Sequence, residues 1–145
     1  MDYRKFGETY YLRFDRGDEI VSGILSICKK ENIKSAIFSG IGGCSEAEIK
    51  TFIPEKGEFE SRIISGMLEL VSMTGNIICD RDGNYYHHTH AAFAYKEGES
   101  HCVAAGHIGY VTVLYTGEIE LRPVYGGEIK RKYSEETGTG FWDFE

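Results

Sequence analysis

Five histidines lie within a short stretch of this sequence, between His87 and His107. Two of them, His88 and His90, are two residues apart, so in a β-strand their imidazoles project from the same face. His107 lies in the next apolar run, which pairs with the first run if the two form a hairpin. Three neutral imidazoles on one face suit zinc or another divalent transition metal, with one coordination position left for water or a substrate. We therefore predict a metal site at His88, His90 and His107.

The nearby histidines and cysteine are not predicted to be ligands. His87 points to the opposite face from His88, and His101 lies beside a charged turn, where we expect it to be solvated. Cys102 has the wrong strand parity relative to His107 unless a bulge intervenes. The alternative for the whole cluster is that its histidines are polar residues of the core and that the domain is an assembly scaffold.

One carboxylate is a candidate general acid or base for chemistry at such a metal. Glu69 lies inside the apolar segment 67–71, where an unpaired charge is costly to bury. A zinc ion with an open position polarises a carbonyl or lowers the pKa of bound water, and this chemistry usually needs a proton donor or acceptor nearby. The alternatives are that Glu69 faces solvent from an edge strand or pairs with an arginine at a subunit contact.

The composition predicts a single folded domain over residues 1–145. Its 41% hydrophobic and 27% charged residues are typical of a globular protein, and the length allows one sizeable core. No apolar run is long enough for a transmembrane helix, and the first residues lack the apolar stretch of a secretory signal. The four cysteines are widely spaced, as expected of thiols in a reducing compartment. We therefore expect a cytoplasmic protein without a membrane partner.

The net charge of −7 weakens the case for DNA binding, which is driven by clustered lysines and arginines. The one basic cluster, residues 130–132, is surrounded by Glu128, Glu135 and Glu136, and we expect it to be a solvated strand end. A local basic patch on an acidic assembly can still attract an anionic partner. DNA therefore remains a candidate partner.

The hydropathy pattern predicts one helix among many strands. Apolar residues recur at helical spacing from Ile20 to Cys28, with Asp18 and Glu19 at the favourable N-terminal end. Alternating or apolar runs predict strands at 8–14, 35–38, 47–52, 59–64, 66–78, 103–115 and 118–123, with turns at 80–84, 96–100 and 116–117. This pattern indicates an α+β fold, in which the helix covers one face of an antiparallel or mixed sheet.

Two further segments have an expected structural role. The glycines of residues 39–43 lack the pattern of a phosphate-binding loop, so a bulge or a close backbone approach at a subunit contact is the better interpretation. The tail, residues 134–145, contains Phe141, Trp142 and Phe144. Exposure of these rings is costly, so we expect the tail to dock on the fold or on a neighbouring subunit.

Six segments carry a resemblance that extends over nearly the whole chain: YLRFDRGDEI (11–20), SGIGG (39–43), LELVSMTGNI (68–77), HTHA (88–91), GHI (106–108) and RKYSEETG (131–138). Together they resemble the plant-and-prokaryote conserved (PPC) domain family. The resemblance implies a mixed, largely antiparallel α+β domain that assembles as a homotrimer, with a metal site at His88, His90 and His107. Prokaryotic members are labelled predicted DNA-binding proteins, whereas plant members carry an AT-hook, whose Arg-Gly-Arg-Pro core this sequence lacks.

Two functions follow from these observations. The first is a metal-binding, trimeric PPC-domain protein, with zinc as the expected metal and a regulatory or DNA-associated role. The alternative is a metal-dependent enzyme of lyase or hydrolase type, which acts on a small carbonyl or ester compound through the three-histidine site and uses Glu69 as its acid or base.

Overall fold

The computed structural model describes residues 1–136 and 139–144. Within them the chain forms one helix and eight strands. In chain order these are β1 (Asp2–Phe6), β2 (Thr9–Phe14), α1 (Ile20–Lys30), β3 (Ser35–Ile53), β4 (Glu58–Cys79), β5 (Tyr85–Glu97), β6 (Ser100–Pro123), β7 (Lys130–Ser134) and β8 (Thr139–Asp143).

The main sheet has six strands in the order β1-β2-β6-β3-β4-β5, and β6 also pairs with β5. Strands β3 to β6 therefore close into a ring. All strand pairings in the described part of the chain are antiparallel, because short turns join β3 to β6 in succession and parallel neighbours need long crossovers. The predicted fold, one helix on a largely antiparallel sheet, is confirmed. The prediction that the sheet is mixed is wrong for these strands, because none of their pairings is parallel.

Several predicted strands merge into longer ones. The predicted strands at 35–38 and 47–52 are parts of β3, and the predicted turn at 116–117 is wrong because β6 continues through it. The register of β3 shifts between Gly40 and Gly42, which is the bulge expected in the glycine segment. The backbone of Gly42 lies against the Thr116 carbonyl, so there is no room for a Cβ atom at this position. The close approach thus occurs within the sheet of one chain.

Helix α1 covers the inner face of the sheet, where the hydrophobic core lies. Its apolar side, which includes Ile20, Ile24 and Ile27, is fully buried. The Glu19 carboxylate caps the helix by accepting the N–H groups of Val21 and Ser22 at 2.8 and 2.6 Å. Among the described residues, no helix has the length and apolarity that crossing a membrane requires.

The tail forms a separate two-stranded sheet, β7–β8. It lies against the outer side of β4 and β5, where the Arg131 guanidinium sits 4.8 Å from the centre of the Tyr86 ring. Phe141, Trp142 and Phe144 remain 42–77% exposed. The predicted docking tail (134–145) and the segment 131–138 of the resemblance include residues 137, 138 and 145, which lie outside the described residues.

Candidate metal centre

Two tight turns set the register that brings the predicted ligands together. Between β4 and β5, Asp80 accepts the N–H of Asn84 at 2.8 Å. Between β5 and β6, Gly98 adopts a φ of 59°, the left-handed conformation that glycine tolerates best. The resulting register places His90 directly opposite His107. The pairing of the two histidine-bearing strands expected from the sequence is therefore present.

The side chains of His88, His90 and His107 meet on the outer face of the sheet. Their closest ligand-capable nitrogens all lie within 4.8 Å of one another. The ring centroids are 5.2 Å apart for His88 and His90, 5.1 Å for His88 and His107, and 5.3 Å for His90 and His107. Zinc–nitrogen bonds of about 2.0–2.1 Å require nitrogens about 3.3 Å apart, which rotation of these side chains can reach.

The protonation state of the cluster suits a metal site. Burial of the ring, together with charge repulsion from the neighbouring His88 and His90, lowers the pKa of His107 to about 4. Desolvation, with His90, also lowers the pKa of His88. Both rings are thus neutral near pH 7, which is the form that ligates a metal. Within residues 1–136 and 139–144, no protein group forms a hydrogen bond to any ring of the cluster. The donor set fits a divalent transition metal.

The histidines and the cysteine that were not predicted as ligands are not members of the cluster, although His87 also lines the cleft beside it. The His87 ring is on the inner side of β5, where its Nδ1 lies 3.0 Å from Oγ1 of the fully buried Thr89. His101 is exposed, and Cys102 is partly buried near the far end of the β5–β6 hairpin. Strand parity separated His87 from the convergent histidines, and the position of His101 beside the turn separated it from them.

A cleft of about 620 Å³ opens beside the cluster. Lys50, which pairs directly with His107 across β3 and β6, lines one side. Phe59 also lines it, with its ring 5.3 Å from that of His107. Arg131 reaches the cleft from the tail hairpin. Lys50, Phe59 and Arg131 were not predicted from the sequence, because they belong to β3, β4 and β7 and no spacing in the sequence links them to the histidines.

A second cavity, of about 460 Å³, adjoins His88 and His90 on their other side. Glu120 and Arg122 of β6 line it, with Arg122 Nη2 and Glu120 Oε2 2.7 Å apart. Trp142 also lines this cavity. Glu120 is thus a carboxylate that shares a cavity with the cluster, and sequence reasoning missed it because β6 was predicted to turn just before it.

The predicted acid or base, Glu69, is not brought to the cluster. It lies five residues along β4 from Thr74, the partner of His90, a distance of roughly 16 Å at the usual strand rise. Its side chain is exposed and lines neither histidine cavity. The expected cost of burying its charge therefore does not arise, because the carboxylate faces solvent as in the alternative interpretation.

Comparison with known families agrees with the resemblance seen in the sequence. The profile of the Plants and Prokaryotes Conserved (PCC) domain, the PPC domain named above, matches residues 1–124. This region contains all three clustered histidines and ends before the tail hairpin. A search of curated proteins gives no match.

Three crystal structures share the fold over almost their whole length. A PPC protein from Pyrococcus horikoshii is 33% identical, with a TM-score of 0.83, and covers 98% of this chain and 94% of its own. A presumed DNA-binding protein from Bacteroides thetaiotaomicron is 26% identical, with a TM-score of 0.89 and coverages of 99% and 96%. A protein from Archaeoglobus fulgidus, described as metal-containing, is 28% identical, with a TM-score of 0.81 and coverages of 98% and 98%.

Proposed function

The chain belongs to the Plants and Prokaryotes Conserved domain family, and from this premise we propose that it binds a divalent transition metal, zinc in the first instance, through His88, His90 and His107. The observation that carries the proposal is the convergence of the His88, His90 and His107 side chains, whose ligand-capable nitrogens lie within 4.8 Å of one another. The Archaeoglobus relative, described as metal-containing, supports it. Once bound, such a metal supplies a Lewis acid with a free coordination position.

Elemental mass spectrometry of untagged protein tests the metal proposal. We expect about one zinc per chain in the wild type, as a site of three convergent imidazoles requires, and loss of zinc in His88→Ala and in His107→Ala. His101→Ala is the matched control, because His101 is an exposed histidine on the same hairpin and should keep the metal. A wild type that stays metal-free after zinc is offered would contradict the proposal.

We also propose that the protein assembles as a homotrimer through the apolar patch around Glu69. This patch consists of Ile41, Met67, Val71 and Tyr115, which line one shallow surface and are 41–67% exposed. An exposed cluster of this kind is typical of an interaction surface. Light scattering should give three times the chain mass of 16.3 kDa, and a monomeric mass would contradict the assembly.

For a regulatory or DNA-associated role, the supporting observation is the basic strand β7 together with the presumed DNA-binding relative. Duplex DNA binding, followed by fluorescence anisotropy, should weaken steeply between about 50 and 200 mM salt. Lys132→Gln should reduce it. No binding at the lower salt would remove the DNA-associated role and leave the metal site untouched.

A second candidate function, an enzyme acting on a small carbonyl or ester compound, is favoured by the Glu120–Arg122 ion pair beside the cluster. Glu120 takes the place that the sequence assigned to Glu69, because it shares a cavity with His88 and His90. Zinc-loaded protein should be screened for lyase and esterase turnover. Glu120→Gln should then abolish turnover and Glu69→Gln should not, and the opposite result would restore Glu69.

A further inference from the structure

The charge of the histidine cleft is opposite to that of the whole protein. The chain carries a net charge of −7, yet Lys50 and Arg131 line the cleft, and no described aspartate or glutamate does. A metal held by neutral imidazoles would add further positive charge. A cationic cleft on an acidic protein concentrates small anions while the remaining surface repels large ones.

Arg131 is placed to bind an anion from the tail side of the cleft. Its guanidinium stacks on the Tyr86 ring at 4.8 Å, which orients the group. A guanidinium presents a planar fork of N–H donors that matches the two oxygens of a carboxylate.

Lys50 adds a second charge on the opposite side. Its Nζ lies 3.4 Å from Glu48 Oε2, but only Lys50 of this pair lines the cleft. Lys50 is also the direct cross-strand neighbour of His107, so its charge lies beside the cluster.

The wall between these charges is aromatic. Phe52 and Phe59 contact each other with ring centroids 5.3 Å apart, and Phe59 continues the stack to His107. Both phenylalanines are about half exposed, at 44% and 50%. Such a wall favours a ligand with an apolar arm, and a volume of about 620 Å³ is typical of a small-molecule site.

The charges around the cleft suit a monoanion. Lys50 Nζ lies 3.4 Å from Glu48 Oε2, which offsets part of its positive charge, and Glu120 in the neighbouring cavity is paired with Arg122 at 2.7 Å. The cleft therefore offers too little uncompensated positive charge for a multiply charged anion.

Building on the proposed metal site, we propose that the histidine cleft binds a small organic monocarboxylate with an apolar or aromatic arm. The carboxylate lies between Arg131 and Lys50 beside the open metal position, and the arm contacts Phe52 and Phe59. A phosphate group offers the same hydrogen-bonding chemistry, and the experiment separates the two anions.

Calorimetric titration with benzoate, benzamide and inorganic phosphate tests this proposal on zinc-loaded and on metal-free protein. We expect benzoate to bind more tightly than its uncharged isostere benzamide and more tightly than phosphate. Arg131→Gln should weaken benzoate binding roughly fivefold, the upper range for an exposed ion pair, and leave benzamide unchanged. Lys132→Gln is the matched control, because Lys132 neighbours Arg131 on β7 and does not line the cleft.

The outcomes distinguish the ligand class from the metal site. Equal affinity for benzoate and benzamide, tighter binding of phosphate, or no effect of Arg131→Gln would overturn the carboxylate proposal, even if elemental analysis finds zinc. Conversely, a benzoate preference that depends on Arg131 in protein unable to hold zinc would support the carboxylate cleft and contradict the metal site.

Discussion

The histidine cleft and the apolar patch around Glu69 lie on the same outer face of one sheet, yet their chemistry differs completely. Strands β3, β4 and β6 contribute to both regions, whereas β5 contributes only to the cleft. In the cleft, cross-strand pairing brings imidazoles together, and the tail hairpin adds a cation. In the patch, β3, β4 and β6 present apolar side chains and two exposed carboxylates, Glu69 and Glu118. The side chains are similarly exposed in the two regions. The residues beside each side chain on the adjacent strands therefore decide its function.

The largest expected effect is the loss of zinc affinity when a ligand of the cleft is removed. His107→Ala should reduce the affinity by more than the roughly hundredfold that altering an outer-shell partner costs, because it deletes one of three donors. Glu69→Gln, in the patch, should leave the affinity unchanged. Competition with a chromogenic chelator measures both, and equal losses would erase the distinction between the two regions.

A charge introduced into the apolar patch should disrupt the assembly and should not change the zinc affinity. Val71→Glu places a carboxylate in an apolar contact, at a cost of several kcal/mol if it is left unpaired, so the assembly should dissociate. The control is Phe6→Glu, since Phe6 is a similarly exposed apolar residue on the β1–β2 hairpin. Light scattering reads the mass of each variant. Retention of the full assembly by Val71→Glu would show that the patch is not the contact.

On the inner face of the sheet, Glu19 should affect stability and not metal affinity. Its carboxylate accepts the Val111 N–H at 3.0 Å in addition to the two helix N–H groups, and so joins α1 to β6. Glu19→Ala should lower the free energy of unfolding by about 1–2 kcal/mol. Urea denaturation measures this change, and an unaltered midpoint would contradict the role of the cap.

The smallest expected effect is the pH dependence of the metal-free protein. The pKa of His107 in the folded protein is about 4, below the ordinary histidine value of 6.5, so the unfolded chain binds more protons between these two pH values. Stability should therefore fall as the pH drops from about 6.5 towards 4. His107→Gln should make the fall shallower. Thermal melts across this range test the sign, and a steeper fall in the variant would contradict it.

The sequence predicted the cluster better than its surroundings for a physical reason. His88 and His90 share a face by strand parity alone, and a short turn suffices to bring His107 beside them. Lys50, by contrast, reaches the cleft through the pairing of β3 with the distant β6, and Arg131 reaches it because the tail hairpin packs on Tyr86 of β5. The expected proximity of Glu69 to the histidines is absent for a similar reason, because composition indicates an apolar strand without indicating which end of it adjoins the histidines.

Helix α1 and most turns followed from local signals, whereas the lengths of β3 and β6 did not. The predicted turn before Glu118 is absent because Gly117 pairs with both Phe14 and Gly42. Glycine at such a position reads locally as a turn. Here it serves the close approach of neighbouring strands, which only the tertiary pairing reveals.

The most direct test of the account is anomalous diffraction at the zinc absorption edge, from crystals of untagged, zinc-loaded protein. A metal centre at the three histidines should give one strong peak per chain, within about 2.0–2.1 Å of a nitrogen from each of His88, His90 and His107. A peak ligated elsewhere, or no peak among these imidazoles, would contradict the metal centre.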